Sequence, residues 1–169
     1  MSLLVLSCVT VKNLEVYELP SKNNILISLS ESDKTQFGKQ AFESQSTPQR
    51  VFSSLWALES EVNNGGFSQY FLNDSSETAA FAAEALETIG APRTADICRR
   101  AIATAFPAGL PETSEAISTA AADFSDEVLE QLQMLDNEFF AYPHNLTDLL
   151  FAYVSKHPEE FGTLPTADD

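Results

Sequence analysis

Two histidines, His144 and His157, stand in the chain, and His144 has a candidate second ligand, Asp148, four residues on. That spacing puts two ligands on one helix face, but a metal centre needs three or four protein ligands. No other spacing suggests the rest, so no metal is expected. His157 lies beside the end of a predicted helix, where attraction to the negative helix end explains it. Glu59 and Glu61 are paired carboxylates with acid–base potential. On a helical wheel Glu61 points away from the apolar stripe and Glu59 falls within it. Glu59 therefore needs a partner or a raised pKa, and the simpler expectation is that its carboxylate reaches solvent or caps a neighbouring helix. Cys8 and Cys98 are ninety residues apart, without C-x-x-C spacing, so neither a redox dithiol nor a metal clamp is indicated and a reducing cytoplasm is expected. The G-x-S-x-G elbow, the P-loop, the G-x-G-x-x-G turn, H-E-x-x-H and the calcium loop are all absent. No catalytic residue and no cofactor is assigned, and an enzyme is not expected.

What the chain has in quantity is negative charge. Twenty-five acids against nine Lys and Arg give a formal charge of −16. Residues 1–50 are balanced, and between Ala101 and Ser155 nine acids stand with no Lys or Arg. A duplex would be repelled, so direct nucleic-acid binding is excluded. Glu77, Glu84 and Glu87 form one acidic face, and Asp126, Glu127 and Glu130, extended by Glu138, form another. Acids in first helical turns stabilise the positive helix end. Lys and Arg ordinarily gather in last turns and pair with Glu at i,i+4. That second half of the pattern is missing. The plain reading is solubility through self-repulsion; the sharper one is a surface shaped for a basic protein partner.

The densest local signal is Glu61-Val-Asn63-Asn64-Gly65-Gly66-Phe67-Ser-Gln69-Tyr70-Phe71-Leu-Asn73. Gly65 and Gly66 permit positive φ or close backbone approach, and Asn63 or Asn64 can satisfy orphaned carbonyls. Gln69 and Asn73, four apart, can bond across to the preceding helix end. Phe67, Tyr70 and Phe71 anchor the corner in the core. A structural corner is favoured over a ligand site built from amides.

The elements that position these residues are helices. Thr47-Pro48 opens one, with Val51, Phe52, Leu55, Trp56, Leu58 and Val62 inward, and Gly65-Gly66 ends it. A short helix follows over about Phe67 to Leu72. Ser75 or Ser76 caps the next, with Phe81, Ala82, Ala85, Leu86 and Ile89 inward and Gly90 as the stop. Pro92 starts another, to about Phe106. After the break Pro107–Pro111, helices are expected from Thr113 to about Asp123, from Ser125 (Val128, Leu129, Leu132, Leu135 and Phe139 inward) to Tyr142-Pro143, and from Asn145 to about His157. The first thirty residues read as short strands, extended cover segments or an irregular helix, and a helix over about Asp33 to Phe42 follows. The fold class is mainly α, one compact multi-helix domain with a partly extended N-terminal segment. Residues 1–46 form that segment with one helix, 47–162 the helical domain and 163–169 an acidic tail.

Length and composition agree. With 169 residues, 44% of them hydrophobic and twelve Phe, the chain can bury a core without staples, which excludes a disordered chain or a disulfide scaffold. Met1 to Cys8 lacks the basic and long apolar regions of an export signal, and no apolar run spans a bilayer; no membrane association is expected.

The motif E-V-N-N-G-G-F-x-Q-Y-F-x-N resembles the bacterial DNA-mimic protein family first described in Neisseria, most of which is filed as a domain of unknown function. The Ala-rich helix Ala79 to Ala91, Leu135-Asp-Asn-Glu-Phe139 and the ending Tyr142 to His157 are similar in character, so the resemblance covers about Thr47 to Gly162. It implies a mainly helical fold, a homodimer and carboxylates arrayed like duplex phosphates that occupy the DNA-binding face of a transcription regulator. The shared motif is scaffold, so the surface acids named above are the expected carriers on charge alone. Two alternatives stand beside this: an immunity-protein or antitoxin-like inhibitor of a basic toxin, and a small-ligand binder or enzyme at the Asn63–Asn73 corner with Glu59 or Glu61.

Overall fold

A computed structural model describes residues 21–32 and 41–162. The expected strand-like segments before Pro20, Cys8, the acidic tail 163–169 and all but the end of the expected Asp33 to Phe42 helix lie outside the described residues; at that end Ala41 is extended and Phe42 opens a 3-10 turn. Within them the chain forms eight α-helices: α1 Lys22–Ser30, α2 Thr47–Leu72, α3 Ala79–Thr88, α4 Pro92–Ala105, α5 Ser114–Ala122, α6 Asp126–Phe140, α7 Leu146–Val154 and α8 Pro158–Phe161. Two 3-10 turns, Phe42–Ser44 and Asp74–Thr78, join them. The fold is all-helical over these residues, as the punctuation predicts. Ile25, Leu26 and Leu29, left open between strand and helix, lie buried on one face of α1.

Side chains that satisfy orphan backbone groups set most boundaries. Ser125, Thr113 and Asn145 accept the N–H groups of Val128, Ala116 and Asp148 at the starts of α6, α5 and α7. At the start of α2 the cap is Ser46 rather than Thr47. The Gln49 N–H donates to its hydroxyl at 3.4 Å and the Ser46 N–H donates to Gln49 Oε1 at 3.2 Å, a reciprocal box that a Ser three residues before a Gln makes available. Gly90, at φ 88°, ends α3 where expected. The N–H groups of Gly90 and Ala91 return to Glu87 and Leu86 at 2.9 and 2.8 Å, the paired closure that a left-handed residue allows. Neither Ser75 nor Ser76 caps α3, because the 3-10 turn intervenes. Ser75 instead donates to Glu61 and Ser76 to the Ser114 carbonyl.

Helix α2 is the hub: α3, α5, α6 and α7 all pack on it, while α4 bridges α3 and α6 and α1 lies on α7. Phe67, Tyr70 and Phe71 are fully buried, each contributing about 1.5–3 kcal/mol by removal from water. Phe71 meets Phe106 edge-on at 5.1 Å between centroids, Phe106 meets Phe124 at 5.6 Å and Phe67 meets Phe139 at 5.8 Å, the tilted geometry that aromatic quadrupoles favour. The buried Tyr70 hydroxyl pairs with Thr78 Oγ1 at 2.7 Å. Leu129, expected inward, is 41% exposed. The buried stripe of α6 runs through Leu132, Leu135 and Phe139, and Leu129 falls to its side.

Candidate functional site

The corner motif is built around a break inside α2. Gly65 (φ −159°, ψ 21°) and Gly66 (φ 78°, ψ −178°) interrupt the helical backbone, and the chain resumes as a helix to Leu72. The break rotates the second segment so that side chains eight and more residues apart meet. Glu61 is the convergence point. Its Oε2 accepts from Gln69 Nε2 at 2.7 Å and Asn73 Nδ2 at 2.8 Å, and its Oε1 from the Ser75 hydroxyl at 3.1 Å. Gln69 and Asn73 thus bond back across the break, as their spacing suggests, but to a carboxylate rather than to the helix end.

The break also frees an amide, and Asp136 of α6 takes it: the Phe67 N–H donates to Asp136 Oδ1 at 2.8 Å. The approach is so close that a Cβ on Gly66 would lie 2.3 Å from Asp136 Oδ2. At that φ and ψ only glycine rests comfortably. A Cβ on Gly65 would meet the Gln69 side chain at 2.2 Å, so Gly65 leaves room for the clamp onto Glu61. Burial raises the Asp136 carboxyl, and the Phe67 amide offsets part of that.

On the other side of the corner Glu59 is half-buried and accepts from the Tyr142 hydroxyl at 3.2 Å, while Asn63 Nδ2 donates to that hydroxyl at 2.7 Å. Tyr142 holds φ 45°, an uncommon conformation for a residue with a Cβ, just past the end of α6. Burial pushes the Glu59 carboxyl above its ordinary value, and the Tyr142 bond offsets part of it. The wheel's requirement of a partner or a raised pKa for Glu59 is met by both. Asn64 is exposed. Asn63, Gln69 and Asn73 each donate an amide N–H to a partner within the chain, and these bonds brace the joint. The surface beside Gly65 is an open recess bordered by Ser68, Asp126, Glu130 and Asp136.

The acids expected to carry the surface divide into two kinds. Glu77, Glu84, Asp126, Glu127 and Glu130 are exposed and have no cation partner among the described residues. Glu77 faces Asp74 and Glu43, and burial followed by those like charges raises its carboxyl. Sequence reading missed both companions: Asp74 stands three residues before Glu77 in the same 3-10 turn, whereas Glu43 comes near only through tertiary packing. Glu87 and Glu138 differ: each is tied to an arginine of α4. Arg99 pairs with Glu87 on α3, whereas Arg100 grips Glu138 on α6 with both terminal nitrogens and Asp96 on its own helix. The Arg100 guanidinium holds the Glu138 carboxyl below its usual range. On α6 the acids also part by direction. Asp126 and Glu130 border the corner recess, while Glu138 borders a second recess with Arg100, Gln131 and Met134.

His144 and Asp148 do not come together as ligands. His144 Nδ1 shares a hydrogen bond with Thr94 Oγ1 at 3.0 Å, while Asp148 binds Lys22 at 2.7 Å and Asn145 at 2.6 Å. No cluster of three or more His, Cys, Asp or Glu able to hold a metal occurs among the described residues. Cys98 is buried, and desolvation pushes its thiol up to about 12, which leaves it inert at neutral pH. No described helix is long and apolar enough to cross a membrane. The family model described as DMP19-like protein matches residues 43–157. No curated protein matches the chain, and no solved structure does.

Proposed function

The chain belongs to the DMP19-like protein family, and from that premise we propose that it is an acidic protein-binding module that occupies the basic DNA-binding surface of a regulator by presenting carboxylates in place of duplex phosphates. The observation that carries the reading is the uncompensated charge of α6. Asp126, Glu127 and Glu130 are exposed, without a cation partner among the described residues, in a stretch from Ala101 to Ser155 that has no Lys or Arg. A duplex carries one charge per ~1.7 Å of axis, and a groove evolved for that density attracts any rigid surface that approaches it. Exposed acids also steer association, which speeds encounter and makes it salt-dependent.

Rigidity is what the corner supplies. Asp136 on α6 caps the second segment of α2, and Glu61 ties the two α2 segments together, so the acidic helix is fixed to the hub by hydrogen bonds as well as by packing. Within the surface, Asp126, Glu127 and Glu130 carry most of the interaction. Glu77 and Glu84 extend it, and Glu87 and Glu138 contribute less because α4 already neutralises them. The test is a triple neutralisation, D126N/E127Q/E130Q, measured by capture of the basic partner. The reading expects capture to be lost with the fold intact; retained capture overturns it.

A further inference from the structure

A second site lies away from the acidic surface, between α1, α2 and α7. There Asn23, Trp56, Glu59, Ser60, Asn63 and Thr147 border a recess of about 180 Å³, room for roughly six groups the size of a water molecule. Its composition is unlike that of the other recesses. One indole, one half-buried carboxylate, two amides and two hydroxyls meet, with Leu26 and Leu150 beside them, and the chain's neighbouring ammonium is committed elsewhere. Lys22, adjacent in sequence to Asn23, binds Asp148 at 2.7 Å and lies over the Phe151 ring at 5.7 Å.

The hydrogen bonds at the rim leave a defined set of acceptors. Tyr142 uses Glu59 Oε1, and no donor among the described residues reaches Glu59 Oε2. Asn63 spends its Nδ2 on Tyr142, which leaves its Oδ1 as the open end of the amide. Ser60 and Thr147 border the same recess and add hydroxyl oxygens to its lining. Trp56 has one face stacked on Phe52 at 5.9 Å and lines the recess with the rest of its ring. A carboxylate beside an indole selects a cation. One free carboxylate oxygen cannot make the two-point fork a guanidinium prefers, and one carboxylate with neutral oxygens is too few ligands for a structural metal. A primary ammonium has three donors on a slender stem, and it fits.

We propose that the Trp56–Glu59–Asn63 recess binds a primary alkylammonium group, of the length carried by a lysine side chain or a free aliphatic diamine. The site requires nothing of the acidic surface, so its failure and the failure of the DNA-mimic reading are separate events. Burial holds the Glu59 carboxyl above its ordinary value, with Tyr142 opposing. An entering ammonium supplies the compensation that the carboxylate lacks.

Trp56 is the only tryptophan in the chain, so its fluorescence reports this recess alone. The experiment titrates the full chain with n-butylammonium chloride, with n-butanol and sodium chloride as controls for shape and ionic strength. A saturable change with butylammonium and none with either control is expected. Glu59→Gln keeps an acceptor for Tyr142, and it should weaken binding by at least about tenfold, the scale of a charged hydrogen bond. Thr147→Met, which leaves Glu59 untouched and fills the recess, should also abolish the signal. Circular dichroism establishes that each variant is folded. Two further titrants, cadaverine and a blocked lysine peptide, show whether the source is a free amine or a protein side chain. The proposal is overturned by no saturable change with butylammonium, by an equal response to butanol or salt, or by undiminished binding in folded Glu59→Gln or Thr147→Met.

Discussion

Asp136 on α6 accepts the backbone N–H of Phe67 at 2.8 Å, across 69 residues of chain, and so caps a helix segment that its own sequence leaves uncapped. The surface helix and the buried hub are thereby one unit. The charge on α6 is held in place by a residue on its inner side.

The first consequence concerns Gly66. A side chain there meets both a backbone conformation reserved for glycine and the Asp136 carboxylate at 2.3 Å. Gly66→Ala should destabilise the protein by about 2–4 kcal/mol, the strain of such a conformation plus the displaced cap, read as a lower midpoint in urea unfolding. In an Asp136→Ala background the same change should cost less, because the collision is gone and only the strain remains. Equal costs in the two backgrounds would show that the collision contributes nothing.

Glu61 gives a sharper chemical test. Its Oε2 accepts from Gln69 and Asn73 and its Oε1 faces only the Ser75 hydroxyl, which can accept as well as donate. Glu61→Gln can therefore keep all three bonds, with its oxygen toward the two amides and its NH₂ toward Ser75, whereas Glu61→Ala loses them and should cost about 1–2 kcal/mol, given that the partners are partly exposed. Equilibrium unfolding of the pair decides it. A Gln variant as destabilised as the Ala variant would contradict this arrangement of donors and acceptors.

Glu59 sets a pH dependence. Its folded-state pKa is raised, by burial first and with Tyr142 opposing, so the protonated form is the one the fold favours. Its contribution to stability is full below the ordinary value of 4.5 and is lost as pH rises through the raised folded value. Its hydrogen-bond partner is the Tyr142 hydroxyl, and Glu59→Gln keeps an acceptor for it. The stability of Glu59→Gln relative to the native chain should therefore increase from pH 4 to pH 7. A difference that stays flat or falls over this range contradicts the assignment.

The arginines of α4 predict a gain of binding. Arg99 and Arg100 neutralise Glu87 and Glu138, and both pairs are exposed, so their loss should change stability by no more than about 1 kcal/mol. The R99Q/R100Q double variant releases two carboxylates into the surface. It should bind a basic partner more tightly and with steeper salt dependence, measured by titration at several ionic strengths.

Much of this fold is legible in the chain because its signals are local. Ser125, Thr113 and Asn145 announce helix starts, Gly90 announces a stop, and the periodic apolar residues of α2 and α6 mark their buried faces. Even so, the cap of α2 stands one residue earlier than Thr47-Pro48 suggests, because the Ser46–Gln49 box outcompetes the threonine. What stays hidden depends on the break. Glu61 reaches Gln69, Asn73 and Ser75 only once Gly65 and Gly66 have turned the chain, and Asp136 finds Phe67 only through tertiary packing. The acidic faces are legible as charge, but the division between free acids and those held by Arg99 and Arg100 depends on how α3, α4 and α6 lie together. The Trp56–Glu59–Asn63 recess needs α1 and α7 as walls, and no single segment contains it.

The most direct test of the DNA-mimic reading is capture from a host lysate on the immobilised protein, eluted in parallel with salt and with duplex DNA at constant ionic strength. The account predicts that a DNA-binding protein is released by both, and that the D126N/E127Q/E130Q variant fails to retain it. A partner released by salt but indifferent to duplex would contradict the account and point to a basic protein that does not read this surface as DNA.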